Sequence, residues 1–172
     1  MDAVLTPDYG STMTRQDPFQ PADETSRALS RQLMQGATHA ALAVLQPGTG
    51  LPSVTRIALA LDAAGQPVSL ISTLAHHTAA LEANPACALL IGEPGDKGDP
   101  LTHPRLTLHC TAQLIPRDAP GHPALRDHYL AQRPKAKLYA DFADFRFVRF
   151  QVTDGLLNAG FGKAYRMAPG DF

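Results

Sequence analysis

Residues 53–85 read SVTRIALALDAAGQPVSLISTLAHHTAALEANP, and this stretch decides the fold. Two apolar runs of strand length, 54–61 and 68–72, are separated by a turn rich in Ala, Gly and Pro. The second run leads through Ser and Thr residues into a short helix, which Asn84-Pro85 ends. Short strands that are joined by a tight turn and followed by a short helix favour an antiparallel sheet with helical additions.

The rest of the chain repeats these short elements. Strands are predicted over 38–45, 86–91, 105–115 and 145–153, and helices over 24–35 and 123–132. Asp154-Gly155 is predicted to turn the chain into a further short segment. We therefore expect an α+β protein that is mainly β, built as a small antiparallel barrel of about six or seven strands with short helices.

The length of the chain and its N-terminal composition predict the domain organisation. A chain of 172 residues is expected to form one domain. Residues 1–22 contain scattered Pro, Gly, Ser and Thr with little periodic apolarity, which is typical of a mobile arm. We therefore expect an N-terminal arm over 1–22 and a single domain over 23–172.

Composition excludes several classes of protein. Fifteen Lys and Arg stand against sixteen Asp and Glu, so the chain lacks the positive surplus that binding nucleic acid requires. It has no apolar run of about 18 residues and no secretory signal pattern, so we expect a cytoplasmic protein with no membrane partner. Two Cys and the absence of CxxC and HExxH predict neither a disulfide framework nor a metal site.

The distribution of charge singles out one residue. Arg56 is the only Lys or Arg between Arg31 and Lys97, and it lies inside an apolar run. An isolated guanidinium in such a place is expected either to pair with a carboxylate or to bind an anion.

The strand-to-helix junction that follows Arg56 offers a partner for that charge. A helix start presents free backbone N–H groups, and Ser72, Thr73, His77 and Thr78 add side-chain donors, which together suit a phosphate. The alternative is structural: Ser72 or Thr73 caps the helix, and Arg56 pairs with Asp62 or Glu82. The residues alone leave both interpretations open.

Two later segments also have polar patterns. Arg105, Thr107, His109 and Thr111 share one face of the predicted strand 105–115. That face is either a solvated barrel exterior or a ligand and subunit interface. The segment GFGK at 160–163 has two Gly that would allow the backbone to approach a ligand closely, and a mobile turn is the equal alternative.

The order of the motifs resembles that of a known family. The matching segments are SVTRIALALD (53–62), LISTLAHHTAALEANP (70–85), GDPLTHPRLTLHCTA (98–112), YADFADFRFVRF (139–150) and GFGKAY (160–165). Together they resemble the pyridoxamine 5′-phosphate oxidase-like, FMN-binding split-barrel superfamily, and most of all its group that includes the haem-utilisation proteins.

The resemblance implies an antiparallel split β-barrel homodimer with FMN at the dimer interface. By position, Arg56 is similar to the strand Arg that reaches the phosphate, and Arg105 and Lys163 are similar to groups near the flavin ring. The cofactor-binding residues that the resemblance implies are Arg56, Ser72, Thr73, His77, Thr78, Arg105 and Lys163. Leu61 stands where the oxidases proper have Lys, and the chain has no Trp, so oxidation of vitamin B6 is not expected.

Three functions compete at this stage. The first is an FMN-dependent oxidoreductase in which the flavin transfers a hydride or electrons between a small-molecule substrate and an electron donor. The second is a haem- or flavin-binding module without turnover, which acts in storage, sensing or haem utilisation. The third is an interaction protein that has kept the barrel and lost its cofactor. No side chain is assigned a catalytic role.

Overall fold

The computed structural model describes residues 17–172, so most of the predicted arm over 1–22 lies outside the described residues. The last part of that arm has defined contacts. Gln20–Pro21 forms a short strand, and the Arg166 guanidinium lies 5.4 Å from the centre of the Phe19 ring and 3.1 Å from the Asp17 carboxylate. Residues 17–21 thus contact the segment that contains Tyr165 and Arg166.

The described residues form nine strands and three α-helices. In chain order these elements are β1 (Gln20–Pro21), α1 (Glu24–Gly36), β2 (His39–Leu45), β3 (Pro52–Ala58), β4 (Ala60–Leu61), β5 (Pro67–Ser72), α2 (His76–Ala83), β6 (Ala86–Ile91), β7 (Arg105–Ile115), α3 (His122–Gln132), β8 (Phe145–Asn158) and β9 (Ala164–Met167). The expected α+β class is confirmed, and β6 and β7 have the predicted bounds. The strand count is higher than expected because β1 and β4 are two-residue strands.

The strands form one sheet that bends into a split barrel. Seven strands follow one another in the order β3, β2, β6, β7, β8, β9, β1, and β5 pairs with the first part of β8. The β2–β3 ladder ends at Ala58, and after Leu59 the chain continues as β4, which pairs with β5. The segment from β3 to β4 therefore pairs with β2 through its first part and with β5 through its second part. The bend between the two parts is the place where the barrel is split.

Arg133 holds this bend in place. Its guanidinium donates to the carbonyl oxygens of Leu59 at 2.6 Å, Ala37 at 2.7 Å and Gln132 at 2.8 Å. A backbone carbonyl that has left its sheet ladder needs another donor when it is shielded from water. Arg133 supplies that donor for Leu59, and it ties the end of α3 to the bend and to the segment between α1 and β2.

The turn that the sequence predicts at Asp154-Gly155 is wrong, because β8 runs through both residues. Gly155 is needed for close packing rather than for a turn. A Cβ at this position would lie 2.9 Å from Cζ of Phe172 and 3.0 Å from the backbone oxygen of Thr107. Glycine therefore lets β7 and the C-terminal residue approach β8 closely.

The barrel core lies between the inward faces of the strands. Its fully buried side chains alternate with outward ones, and they include Leu42, Leu89, Leu108, Phe150 and Leu157. A second cluster, centred on Tyr129 and Phe147, packs α3 against β5 and β8. The junction between β5 and α2 lies beside the first cluster, to which Ile71, Ala80 and Leu81 contribute, and its polar groups range from buried Thr78 to exposed His76.

Candidate functional site

The β5–α2 junction is held together by its own side chains. Ser72 donates through its hydroxyl to Oδ2 of Asp144 at 2.8 Å, and Thr73 donates through its backbone N–H to the Asp144 carbonyl at 2.6 Å. The buried Thr78 hydroxyl donates to the Ser72 carbonyl at 2.6 Å. Two of the predicted phosphate donors, the hydroxyls of Ser72 and Thr78, are therefore engaged in building the junction.

Other donors at the junction are free among the described residues. Ala75 at the start of α2 gives no side-chain cap, so the first-turn N–H groups of His76 and His77 lack an acceptor. Nε2 of His77 is shielded from solvent and has no hydrogen-bond partner. Burial, together with the neighbouring His76, lowers the pKa of His77, so its imidazole is neutral at pH 7. These groups can serve an anion as hydrogen-bond donors rather than as charges.

Arg56 lies on the other side of the split from this junction. Ala60 pairs with Val68 across β4 and β5, and the Ser69 hydroxyl donates to the Ala58 carbonyl at 2.6 Å. Beyond the bend, Arg56 pairs with Ala41 of β2. The described contacts do not join Arg56 to the junction, for which the residues left both a phosphate site and a structural role open.

The carboxylates that the sequence offered as partners for Arg56 are taken by other arginines. Asp62 pairs with Arg149 at 2.6 Å, and Glu82 pairs with Arg146 at 3.5 Å. Arg56 instead has Glu93 at 4.0 Å, and 74% of its side chain is exposed. Its guanidinium is thus only loosely held.

Arg105 and Lys163 lie at the opposite end of β8 from Ser72. Arg105 pairs with Asn158 in the β7–β8 register, and Asn158 pairs with Ala164, the residue after Lys163. The Arg105 guanidinium donates to the Leu101 carbonyl at 3.0 Å, and Lys163 is exposed in the turn between β8 and β9. The structure thus brings these two predicted residues near each other but not to the β5–α2 junction.

The outward face of the sheet carries a polar pair that the sequence analysis did not assemble. His109 lies on β7 with 44% of its side chain exposed, and its Nδ1 is 2.5 Å from Oδ1 of Asp154 on β8. A β-bulge creates the contact, because the register shifts between His109 and Cys110 and leaves Thr153 as the extra residue. The predicted polar face of 105–115 had identified His109, but nothing in the sequence indicates a bulge that brings Asp154 beside it.

The surroundings of this pair are small or apolar. Two adjacent outward rows cross five strands, and their members are Val54, Ala43, Ala88, His109 and Asp154 in one row, and Arg56, Ala41, Leu90, Thr107 and Leu156 in the other. Val54 and Leu90 are 67% and 44% exposed. Arg56 and His109 therefore share one outward face whose middle consists of alanines.

Residues 17–172 are the part of the chain that the structure describes. No three His, Cys, Asp or Glu side chains in this part of the chain are placed to hold a metal ion together. None of its helices has the length and apolarity needed to cross a membrane.

Comparison with known proteins identifies the family. The family model described as pyridoxamine 5′-phosphate oxidase matches residues 27–158. The chain belongs to this family. The resemblance drawn from the five sequence segments is thereby confirmed, as is the split-barrel fold that it implied.

The relatives of this family member include haem proteins. The chain is 37% identical over 153 residues to the non-canonical heme oxygenase HOZ of Arabidopsis thaliana chloroplasts, which covers 83% of this chain and 46% of that protein. The chain thus spans about half the length of this curated relative. A heme binding protein from Mycobacterium smegmatis is 25% identical with a TM-score of 0.77, and the match covers 87% of this chain and 60% of that one. Atu2129 from Agrobacterium tumefaciens, of unknown function, is 30% identical with a TM-score of 0.75 and the same coverage.

Proposed function

We propose that this family member binds haem on the outward sheet face, with Nε2 of His109 as the ligand to iron. The observation that carries the proposal is the 2.5 Å contact between Nδ1 of His109 and Asp154. A carboxylate that accepts the Nδ1 proton fixes the tautomer in which Nε2 carries a lone pair, and it orients the ring. Nε2 has no hydrogen-bond partner among the described residues.

The surface around His109 suits a flat, apolar macrocycle. Ala43 and Ala88 lie beside His109 in its row, and Leu90 and Leu156 flank them in the next. Small side chains leave room above the sheet, and the leucines supply apolar contact. The haem-related names of two relatives support the same cofactor.

We propose further that the protein is a homodimer and that a second copy covers this face. A sheet surface that exposes Val54 and Leu90 beside several alanines is more apolar than an ordinary solvated face. Covering it would also exclude water from a cofactor bound there. Light scattering is expected to give about twice the 18.4 kDa of one chain, and a monomer that still binds haem would contradict the dimer.

Bound haem would supply iron-centred redox chemistry, which makes an oxidoreductase acting on haem or on a small substrate part of the proposal. The contribution of this chain would be to ligate the iron through His109, to orient that ring through Asp154 and to keep water away. No general acid or base among the described residues is assigned.

FMN at the β5–α2 junction is the second candidate, and the buried, unpartnered Nε2 of His77 favours it. His77 and the free N–H groups of the first turn of α2 would hold the phosphate, with Thr73 and Arg56 as further donors. The flavin would supply hydride or electron transfer. This candidate stands second because the arginines available to it are paired, Arg146 with Glu82 and Arg56 with Glu93, whereas a phosphate carries close to two negative charges.

Absorbance titrations of the purified protein with hemin and with FMN separate the two candidates. Hemin is expected to give a shifted Soret band, which His109→Ala weakens and moves and which Asp154→Asn moves without abolishing it. His128→Ala on α3 is the control and should leave the spectrum unchanged. A Soret band and hemin affinity that His109→Ala does not alter would refute the haem site. A yellow protein that releases FMN would favour the second candidate.

A further inference from the structure

Arg56 already has a carboxylate partner of its own. Oε1 of Glu93 lies 4.0 Å from Nη2 of Arg56 and 3.1 Å from Nε2 of His39, and Nδ1 of His39 lies 3.0 Å from the Thr38 hydroxyl. Thr38, His39, Glu93 and Arg56 therefore form a continuous polar chain. It runs along the edge of the outward face that also carries His109.

The backbone fixes the place of Glu93. The preceding residue, Gly92, has a φ of +98°, and a Cβ there would lie 2.5 Å from the Pro104 carbonyl oxygen and 2.8 Å from Cα of Arg105. Only glycine fits this combination of positive φ and close approach. The chain thus leaves β6 in a fixed direction, which sets Glu93 beside the strands that carry His39 and Arg56.

We infer that Glu93 competes with the cofactor for Arg56. Glu93 occupies the guanidinium in the free protein and gives it up when an anionic oxygen, a haem carboxylate or the FMN phosphate, binds to Arg56. The inference rests on the proposed function, since it requires that the protein bind one of these cofactors. It makes Glu93 a residue that sets cofactor affinity without contacting the cofactor.

The strength of the ion pair suits an exchangeable partner. The side chains of Arg56 and Glu93 are 74% and 63% exposed, and their closest approach is at the outer limit for an ion pair. Exposed pairs of this kind are weak, so removing the competing charge is expected to tighten cofactor binding by about two- to five-fold. A gain in cofactor affinity above five-fold would require an ion pair that is buried from solvent.

His39 makes the inference testable in the opposite direction. Nε2 of His39 and the Arg56 guanidinium both contact Oε1 of Glu93, so the hydrogen bond to His39 limits how closely Glu93 interacts with Arg56. Without that contact Glu93 is free to interact more fully with Arg56. We therefore expect His39→Ala to weaken cofactor binding, whereas Glu93→Gln strengthens it.

The experiment measures dissociation constants for hemin and for FMN, with thermal unfolding as a check on folding. Glu93→Gln is compared with wild type and with the matched control Glu82→Gln, since Glu82 forms a similar half-exposed pair with Arg146. Glu93→Gln should bind two- to five-fold more tightly, and Glu82→Gln should match wild type. In an Arg56→Gln background, Glu93→Gln should have no effect. If the dissociation constant for hemin changes, a haem carboxylate binds Arg56. If the dissociation constant for FMN changes, the FMN phosphate binds Arg56.

The outcomes that oppose the inference are distinct from those that oppose cofactor binding. Unchanged or weaker binding by Glu93→Gln would overturn the role of Glu93, and so would an equal gain in the Arg56→Gln background. If neither hemin nor FMN binds to wild type or to Glu93→Gln, the proposed function is refuted and the competition with it. Binding seen only with Glu93→Gln would support the competition.

Discussion

Replacing Arg133 with Met should destabilise the barrel strongly, because this side chain closes the bend between β3 and β4. The substitution keeps the apolar stem and removes the donors to the Leu59 and Ala37 carbonyls, which lie 2.6 and 2.7 Å away. A hydrogen bond from a charged group contributes about 1.5–3 kcal/mol, so losing both costs about 3–6 kcal/mol. For a domain of this size that lowers Tm by roughly 6–20 °C.

The matched control for this experiment is Arg126→Met on α3, the helix that ends immediately before Arg133. Arg126 pairs through two hydrogen bonds with the exposed Asp141, so its loss is expected to cost up to about 1 kcal/mol and to lower Tm by no more than about 4 °C. Calorimetry and urea unfolding on wild type and both variants provide the comparison, with equal m-values as the check that both unfold in the same way. A decrease for Arg133→Met no larger than that for Arg126→Met would refute the reasoning that Arg133 holds the split.

Three further outcomes are expected. Thr78→Val keeps the shape of the side chain and removes the 2.6 Å hydrogen bond to the Ser72 carbonyl, which retains the Ala75 N–H at 3.1 Å, so urea unfolding should show a loss of about 0.5–1.5 kcal/mol. Burial raises the pKa of Cys87 to about 11 and that of Cys110 further, so iodoacetamide at pH 8 should alkylate both thiols in urea and neither in the native protein, as mass spectrometry would show. Because burial lowers the pKa of His77, the unfolded chain binds a proton that the folded chain does not as the pH falls below about 6.5. Stability should therefore fall between pH 7.5 and 5.5 in wild type, and less so in His77→Gln.

The sequence predicted those elements whose cause is local. The apolar runs and their turns placed β6 and β7 within the right bounds, and α1 begins at the residue predicted, where Asp23 caps it by accepting from the Ser26 N–H at 2.7 Å. The bend between β3 and β4 has no such local cause. It depends on Arg133, which lies 74 residues beyond Leu59, and no periodicity within 54–61 reveals that a side chain so far along the chain will replace the missing ladder contacts.

The residues of the candidate sites follow the same rule: local patterns can be predicted from the sequence, and contacts between distant segments cannot. The residues from Ser72 to Thr78 were predicted to lie at a strand-to-helix junction because a strand that runs into a helix start is visible in the sequence, and their role in binding a cofactor stays a prediction. The pair of His109 with Asp154 was missed because a bulge in β8 creates it. The true partner of Arg56 was missed as well, because Asp62 and Glu82, the carboxylates near it in sequence, are paired with Arg149 and Arg146 of β8. These pairs with β8 form only in the assembled sheet, so the sequence around Arg56 does not reveal them.

Under the proposed function, the electrostatics of the two candidate sites would make an iron ligand the feature that decides between the cofactors. The chain has Leu61, which pairs with Pro67 at the other end of β5, where the oxidases that it resembles have Lys. Because Arg146 is paired with Glu82, the phosphate candidate relies on neutral His77 and on the cation Arg56. Glu93 shares that cation, so a phosphate with close to two negative charges would remain only partly neutralised. A haem carboxylate carries one negative charge, so the single positive charge of Arg56 can neutralise it more fully than it can a phosphate. The remaining affinity would then come from the bond between Nε2 of His109 and iron, which FMN cannot form. Removing His109 is therefore expected to reduce the affinity for hemin and to leave the affinity for FMN unchanged.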